Sequence, residues 1–323
     1  MNEKVYKMYS ATCIGPDPVA ITVEVSVAMG VGIYLVGLPD SAVREALLRV
    51  TSALGFWGYK IPGRRTVINM APANIKKEGS GYDVAIAVSL LAVSEQCVFP
   101  DSSSFLLLGE LSLSGELRSV PGALPIAIKA AELGFKYLVC PKDCAMQAAQ
   151  VEGVVVYGVS NLKEVVSVLC RNPEAEKFIA RSTPYKVQKK TSFEFDFANV
   201  KGQLFARRGL EIACSGGHNV MLCGPPGAGK SFMARAFASI LPPMSYPESL
   251  ETSVIYSVAG MIGAGDGLMQ QRPFRSPHHT ASITAFAGGG SNAMPGEISL
   301  AHNGVLYLDE VLQYSSGLLA EER

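Results

Sequence analysis

Net charge is the first thing this sequence lacks: 28 basic and 28 acidic side chains cancel over 323 residues. No global field draws the chain to nucleic acid or to a membrane surface, so polyanion binding would need a local patch or a ring of subunits presenting one. Long apolar runs are missing as well. Of the two most apolar windows, Ala20–Leu38 is broken by Glu24, Ser26 and several glycines. The other, Tyr82–Val93, falls short of the ~20 residues a bilayer requires. The N-terminal MNEKVYKMYS has no apolar core and no cleavage site of signal-peptide type, so a cytoplasmic location without membrane association is expected. Cysteines are few, odd in number (seven) and scattered through apolar stretches. Only Cys140 and Cys144 are close, and no second pair stands at zinc-site spacing; reduced thiols acting as small hydrophobes are expected. Internal repeats and low-complexity tracts are absent. With 48% hydrophobic and 17% charged residues, disorder is excluded as a description of the whole chain.

The length suggests about two domains. From Val19 to about Leu169 the chain reads as an α+β unit. ITVEVSVAMGVGIYLVGL is strand-like with a Gly-rich turn, and Asp40 is placed to cap the helix DSAVREALLRVTSALGF. RRTVINMAP is a strand and YDVAIAVSLLAVSEQ a helix. FLLLGELSLSGELRSV reads as a hairpin closing around Ser114-Gly115. ALPIAIKAAELGF is helical, YLVCP and GVVVYGV are strands, and NLKEVVSVL is a closing helix. Residues 171–195 are charged, carry two prolines and lack an apolar period, as a linker does. The lysine-rich run Lys186–Lys190 within it reads as a solvated tether. A second unit spans residues 196–323. It contains an amphipathic helix region, a buried strand HNVMLCG, a helix over Ser231–Leu241, a Gly-, Ser- and Pro-rich stretch over Gly260–Pro295, and a second buried strand GVLYLDE.

Chemistry concentrates in the second unit. Gly224, Pro225, Pro226, Gly227, Ala228, Gly229, Lys230 and Ser231 match G-x-x-x-x-G-K-[ST], following an apolar strand and opening a helix. The glycines let backbone N–H groups curl around phosphates, and the helix N-terminus adds its dipole. Lys230 is expected to reach the β and γ phosphates and Ser231 to ligate Mg2+. Seventy-nine residues after Lys230, VLYLDE ends in Asp309 and Glu310. That is the pattern of a Walker-B strand buried on both faces. Asp309 is expected to hold Mg2+ through water and Glu310 to polarise the attacking water. The cofactors expected are therefore ATP and Mg2+, and the Asp-Glu ending favours ATP hydrolysis over a small-molecule kinase.

DFANVKGQLFARRGLEIACSGGHNVMLCGPPGAGKS, IYSVAG, RPFRSPHHTASITAFAGGG and PGEISLAHNGVLYLDE resemble the ComM/YifB family of magnesium-chelatase-like AAA+ ATPases along nearly the whole chain. The resemblance implies an α/β protein: a Lon-protease-like α+β domain (residues 1–170) followed by a P-loop AAA+ parallel-sheet domain, incomplete at its C-terminus. It also implies a cytosolic hexameric ring acting on single-stranded or branched DNA in natural transformation or recombination. A chelatase-type ATPase with a protein or metallo-tetrapyrrole partner, and a non-catalytic truncated binding module, are the alternatives. In active Lon domains the serine lies in a K-D-G-P-S-A-G-type segment. The matching stretch here, KEGSGYDV, puts Gly81 at that position with Ser80 one residue early, and Pro125 stands where the lysine should be. No peptidase activity is expected.

Four residues of the long loop, Arg272, Arg275, His278 and His279, are candidates for a DNA-contacting pore loop, since each subunit of a ring would add them to one channel. A subunit-interface loop would explain the arginines equally. The adjacent histidines are expected to point in different directions and lack Cys, Asp or Glu partners at ligand spacing. Relative to the family pattern the chain stops 13 residues after Glu310, before the sensor-1 strand, arginine finger and helical lid. Its VLQY at Val311–Tyr314 also departs from the usual Leu-Pro-Glu-Phe type. A fragment or frameshifted product is expected, with weak ATP binding and inefficient hydrolysis, because the arginine finger acts in trans.

Overall fold

The computed structural model describes residues 5–182, 185, 193–290 and 293–314; the run Lys186–Lys190 lies outside them. The chain divides into two compact units, unit 1 being Met1–Pro184 with Tyr256–Gly267 and unit 2 Tyr185–Ile255 with Leu268–Arg323. The fold is mixed α/β. Among the described residues no helix is long and apolar enough to cross a membrane.

Unit 1 is built on a seven-stranded sheet. Its strands are β1 (Val5–Ile14), β2 (Asp17–Ala28), β3 (Ile33–Val36), β4 (Arg65–Ala71), β5 (Phe105–Leu107), β8 (Tyr137–Pro141) and β9 (Val155–Val159), in the order β3-β4-β2-β1-β5-β8-β9. Pairing is antiparallel across β1–β2 and β2–β4 and parallel at the other four junctions. Alternation along the strands feeds two cores, as a pleat requires. Phe105 and Leu107 enter one core and Leu106 the other; Val139 and its neighbours Leu138 and Cys140 divide the same way. The first core holds α1 (Ser41–Phe56), α2 (Asp83–Val93) and α5 (Leu162–Leu169); the second holds α3 (Ala123–Glu132) and α4 (Lys142–Ala148). Asp40 caps α1 as read, its Oδ1 accepting from the Val43 amide at 2.7 Å.

Two readings of this unit change. β1 was not anticipated; its ten residues pair with β2 in a long hairpin and bury Met8 and Ala11. The Leu-rich hairpin is shorter than expected. Phe105–Leu107 lies inside the parallel part of the sheet, because its three consecutive apolar side chains fill cores on both faces. Only β6 (Glu110–Leu111) and β7 (Leu117–Arg118) pair antiparallel around Ser114-Gly115. Gly115 sits at φ +78° with the Trp57 ring against it, where a Cβ would approach Nε1 to 2.5 Å. Residues past the composition shift at Arg171 still pack onto β9: the Ala180 amide donates to the Val156 carbonyl at 2.8 Å.

Unit 2 contains α6 (Leu204–Gly216), α7 (Lys230–Phe237) and α8 (Tyr246–Val258), the last running into the Tyr256–Gly267 segment of unit 1. Further along lie β10 (Phe274–Arg275), α9 (Ile283–Ala287), β11 (Gly288–Gly289), β12 (Met294–Pro295), α10 (Glu297–Leu300) and β13 (Val305–Leu306). Here the expected buried strands are corrected. HNVMLCG forms no ladder among the described residues, and Val220 and Met221 are 46% and 76% exposed. In GVLYLDE only Val305–Leu306 pairs, in parallel with β10, and it is half-buried. A parallel strand is buried on both faces only when ladders flank both edges and layers cover both sides; the described residues supply one ladder. α8 was not anticipated, although its start carries a capping box. The Ser245 amide and hydroxyl donate to Glu248 Oε2 at 2.7 and 2.9 Å, and the Glu248 amide donates back to Ser245 Oγ at 3.5 Å.

Candidate functional site

The glycine-rich loop turns where its sequence permits. Gly227 and Gly229 adopt φ +77° and +84°, left-handed values that favour glycine, and α7 begins at Lys230 immediately after. No atom lies within 4 Å of a Cβ built on either glycine, so the loop leaves an open cradle at the helix N-terminus. Lys230 Nζ is folded back, donating to the carbonyls of Gly224 and Pro225 at 2.9 and 3.0 Å.

Ser231 and Asp309, 78 residues apart, are brought together: Ser231 Oγ donates to Asp309 Oδ2 at 3.4 Å. A hydroxyl and a carboxylate converging beside a phosphate cradle form the oxygen donor set that Mg2+ takes, so the residues present fit both nucleotide and metal. Sequence reasoning missed Tyr307, whose hydroxyl donates to Ser231 Oγ at 3.2 Å. The signal was available in the expected strand GVLYLDE, on which a residue two before Asp309 points to the same side, although the strand itself ends at Leu306. Burial pushes the Tyr307 phenol up, and the Asp309 carboxylate adds to that. Glu310 sits at φ +51°, unusual for a non-glycine, and its carboxylate accepts from the Gln313 amide.

The long loop is less open than expected. Arg272 is committed three ways: Nε to the Pro242 carbonyl at 2.7 Å, one Nη to the Asn303 carbonyl at 2.7 Å, the other to Glu248 Oε1 at 2.8 Å. Arg275 makes a two-pronged pair with Glu297, both contacts at 2.6 Å. Both guanidiniums thus hold unit 2 together. His278 is exposed and His279 half-buried, and their rings lie side by side with centroids 4.1 Å apart, contrary to the expected divergence. Among the described residues no cluster of three metal-ligating side chains exists. Arg272 also lines an open cleft of about 760 Å3 with Phe195, Arg235, Gln270 and Phe274, which contains none of the P-loop residues.

In unit 1, the Ser80 hydroxyl donates to Glu110 and Lys77 Nζ to the Pro72 carbonyl, so these two side chains form no serine–lysine pair. Pro125 lies buried in α3. All seven cysteines are free thiols; burial drives Cys140 well up and Cys144 up, and Cys223, beside the P-loop, is exposed.

Comparison with known proteins gives two family profiles. One, described as magnesium chelatase, subunit ChlI, matches residues 196–323; the other, subunit ChlI of Mg-chelatase, matches residues 23–144. The YifB protein of Salmonella typhimurium is 41% identical over 308 residues, covering 95% of this chain and 60% of its own. The competence protein ComM of Haemophilus influenzae is 38% identical over 317 residues, 97% of this chain and 61% of its own. The DNA repair protein RadA of Aquifex aeolicus is 31% identical over 103 residues, 32% of this chain and 22% of its own. The chain thus spans about 60% of the length of the YifB relative it matches.

Proposed function

From the premise that the chain belongs to the ComM/YifB family of magnesium-chelatase-like AAA+ ATPases, we propose that unit 2 binds Mg·ATP at Gly224–Ser231 and Asp309 and, in a ring of subunits, drives remodelling of DNA. The observation that carries the nucleotide reading is the approach of Ser231 Oγ to Asp309 at 3.4 Å beside an open glycine cradle. When bound, Mg2+ neutralises charge on the phosphate oxygens during transfer. The chain's own residues do the rest. Backbone N–H groups of the loop receive the phosphates. Lys230 leaves the Gly224 and Pro225 carbonyls to meet the terminal phosphates. Ser231 and Asp309 supply oxygen ligands, and Glu310, once released from Gln313, accepts the proton of the attacking water. In this reading unit 1 is a Lon-like scaffold without a catalytic dyad, unit 2 is the AAA+ part, and the assembly is a cytoplasmic hexamer.

Support for DNA as the partner comes from the relatives, one named a competence protein and one a DNA repair protein. The internal pairing of Arg272 and Arg275 shifts the pore-loop role toward His278, His279 and the cleft bearing Arg235 and Phe274. Both family profiles describe a chelatase subunit, which supports the second reading, an ATPase acting on a protein or tetrapyrrole partner. The test is ATP hydrolysis by the chain extended to the length of its relatives, with and without branched and single-stranded DNA, beside Lys230→Ala. Lys230-dependent turnover stimulated by DNA is expected; Lys230-dependent turnover indifferent to DNA would favour the chelatase-type reading.

A further inference from the structure

Helix α3 has no capping side chain of its own, because its N-cap is Gly122. The missing cap comes from 133 residues away: Ser257 Oγ accepts from the Leu124 amide at 3.3 Å, and the Ser257 carbonyl accepts from the Gly122 amide at 2.8 Å. Leu124 occupies the second helical position, one that an N-cap serine or aspartate ordinarily serves. The same hydroxyl donates to Gln147 Oε1 at 2.7 Å, and Ser257 and Gln147 are 2% and 6% exposed. The Gly265 amide adds a second anchor on the Asp143 carbonyl at 2.9 Å. Ser257 and Gly265 belong to Tyr256–Gly267, a segment that lies in sequence between the P-loop and Asp309 yet is part of unit 1.

The roots of this segment are fixed in unit 2. The Met269 amide donates to Ser253 Oγ at 2.8 Å, and the Ser249 hydroxyl donates to the Met269 carbonyl. Earlier in α8, Glu248 receives Arg272, and Asn303 Nδ2 donates to the Glu248 carbonyl at 3.2 Å and to Thr252 Oγ1 at 3.3 Å. Asn303 lies two residues before β13, the strand that leads to Tyr307 and Asp309. Along the chain, α8 thus runs from residues hydrogen-bonded to Arg272 and Asn303 into the segment whose Ser257 caps α3.

We propose that Tyr256–Gly267 is a sensing arm that reports nucleotide binding at Ser231 and Asp309 to the N-terminal unit by changing the Ser257 cap on α3. This rests on the nucleotide-binding reading above. Two sites coupled in this way share a free energy that alters the local opening of the reporting element. Amide hydrogen exchange at Gly122 and Leu124 reads it directly, with and without Mg·ATP, in the full chain and in Lys230→Ala, while nucleotide binding is measured separately by equilibrium dialysis. In the unaltered chain Mg·ATP is expected to change exchange at both amides about fivefold or more, and Lys230→Ala abolishes the change. Ser257→Ala should remove the response at Leu124, and Ser257→Thr, which keeps the hydroxyl, should restore it. Lys230-dependent binding with unchanged exchange at both amides would overturn the arm and leave the nucleotide reading standing. Absence of Lys230-dependent binding would overturn both. The comparison within the unaltered chain decides the matter even if Ser257→Ala fails to fold.

Discussion

Tyr307 holds Ser231: its phenol donates to Ser231 Oγ at 3.2 Å, while that hydroxyl donates to Asp309 Oδ2 at 3.4 Å. Burial pushes the phenol up from a range already above neutral pH, and Asp309 adds to that, so it stays a donor to Ser231. Tyr307→Phe removes one hydrogen bond of roughly 1 kcal/mol. Mg·ATP affinity is expected to fall about fivefold by titration calorimetry, with nucleotide binding in EDTA unchanged. Equal losses with and without the metal would show that Tyr307 only packs.

The turn of the glycine loop into α7 and the convergence of Ser231 with Asp309 were legible, because glycines with free backbone conformations and an Asp at the end of an apolar run mark those positions in the sequence. Their setting was less so. An apolar run such as HNVMLCG announces that it can be buried, but only neighbouring strands make it a ladder, and local sequence does not specify neighbours. The same limit hid the role of Phe105–Leu107, whose pairing with β1 and β8 involves partners distant in the chain. α8 was legible in principle through Ser245 and Glu248. The cap that Ser257 places on α3 was not, since nothing in the neighbourhood of Gly122 points 133 residues downstream.

Cys223 directly precedes Gly224 and is exposed, whereas burial raises the Cys140 thiol well above the ordinary range and pushes Cys144 up as well. The thiolate is the reactive form, and burial disfavours it in Cys140 and Cys144, so exposure selects Cys223. Maleimide labelling followed by peptide mass analysis is expected to modify Cys223 first and to reach Cys140 and Cys144 only on unfolding. Mg·ATP should slow labelling of Cys223 by about tenfold if the P-loop is occupied at 10 Kd, and Lys230→Ala should lose that protection.

Asp83, fully buried at the start of α2, accepts from Arg49 at 2.7 and 3.0 Å and from the Leu111 amide at 3.1 Å. Burial nevertheless raises its carboxyl above the ordinary range, outweighing the pull of Arg49 and of that amide. A raised folded value means that the native state holds a proton the unfolded chain gives up. Its contribution to stability is therefore lost as pH rises from the ordinary carboxylate range through the raised value. Arg49→Met strips the pair of its cation and should cost about 3–5 kcal/mol in urea unfolding of unit 1. Because the isolated carboxyl shifts further up, the deficit should be smaller at about pH 5 than at about pH 8. A deficit independent of pH would mean that packing of the Arg49 stem, rather than its charge, carries the loss.

Arg275 and Glu297 decide how much of the long loop's charge is available to a polyanion. Their two contacts, both at 2.6 Å, form a charge-assisted fork between partly buried side chains, 25% and 21% exposed. The fork ties β10 to the start of α10, and β10 is the strand that pairs with β13. Arg275→Ala and Glu297→Ala should each destabilise unit 2, and the double variant should recover part of the sum, with a coupling of about 1–3 kcal/mol. Binding of a single-stranded DNA should then lose little of its salt dependence in Arg275→Ala, because an arginine already neutralised by Glu297 releases few counterions when DNA arrives. A salt slope lowered by about one in Arg275→Ala would instead assign the guanidinium to a phosphate, and Glu297→Ala would then be expected to tighten DNA binding by freeing it.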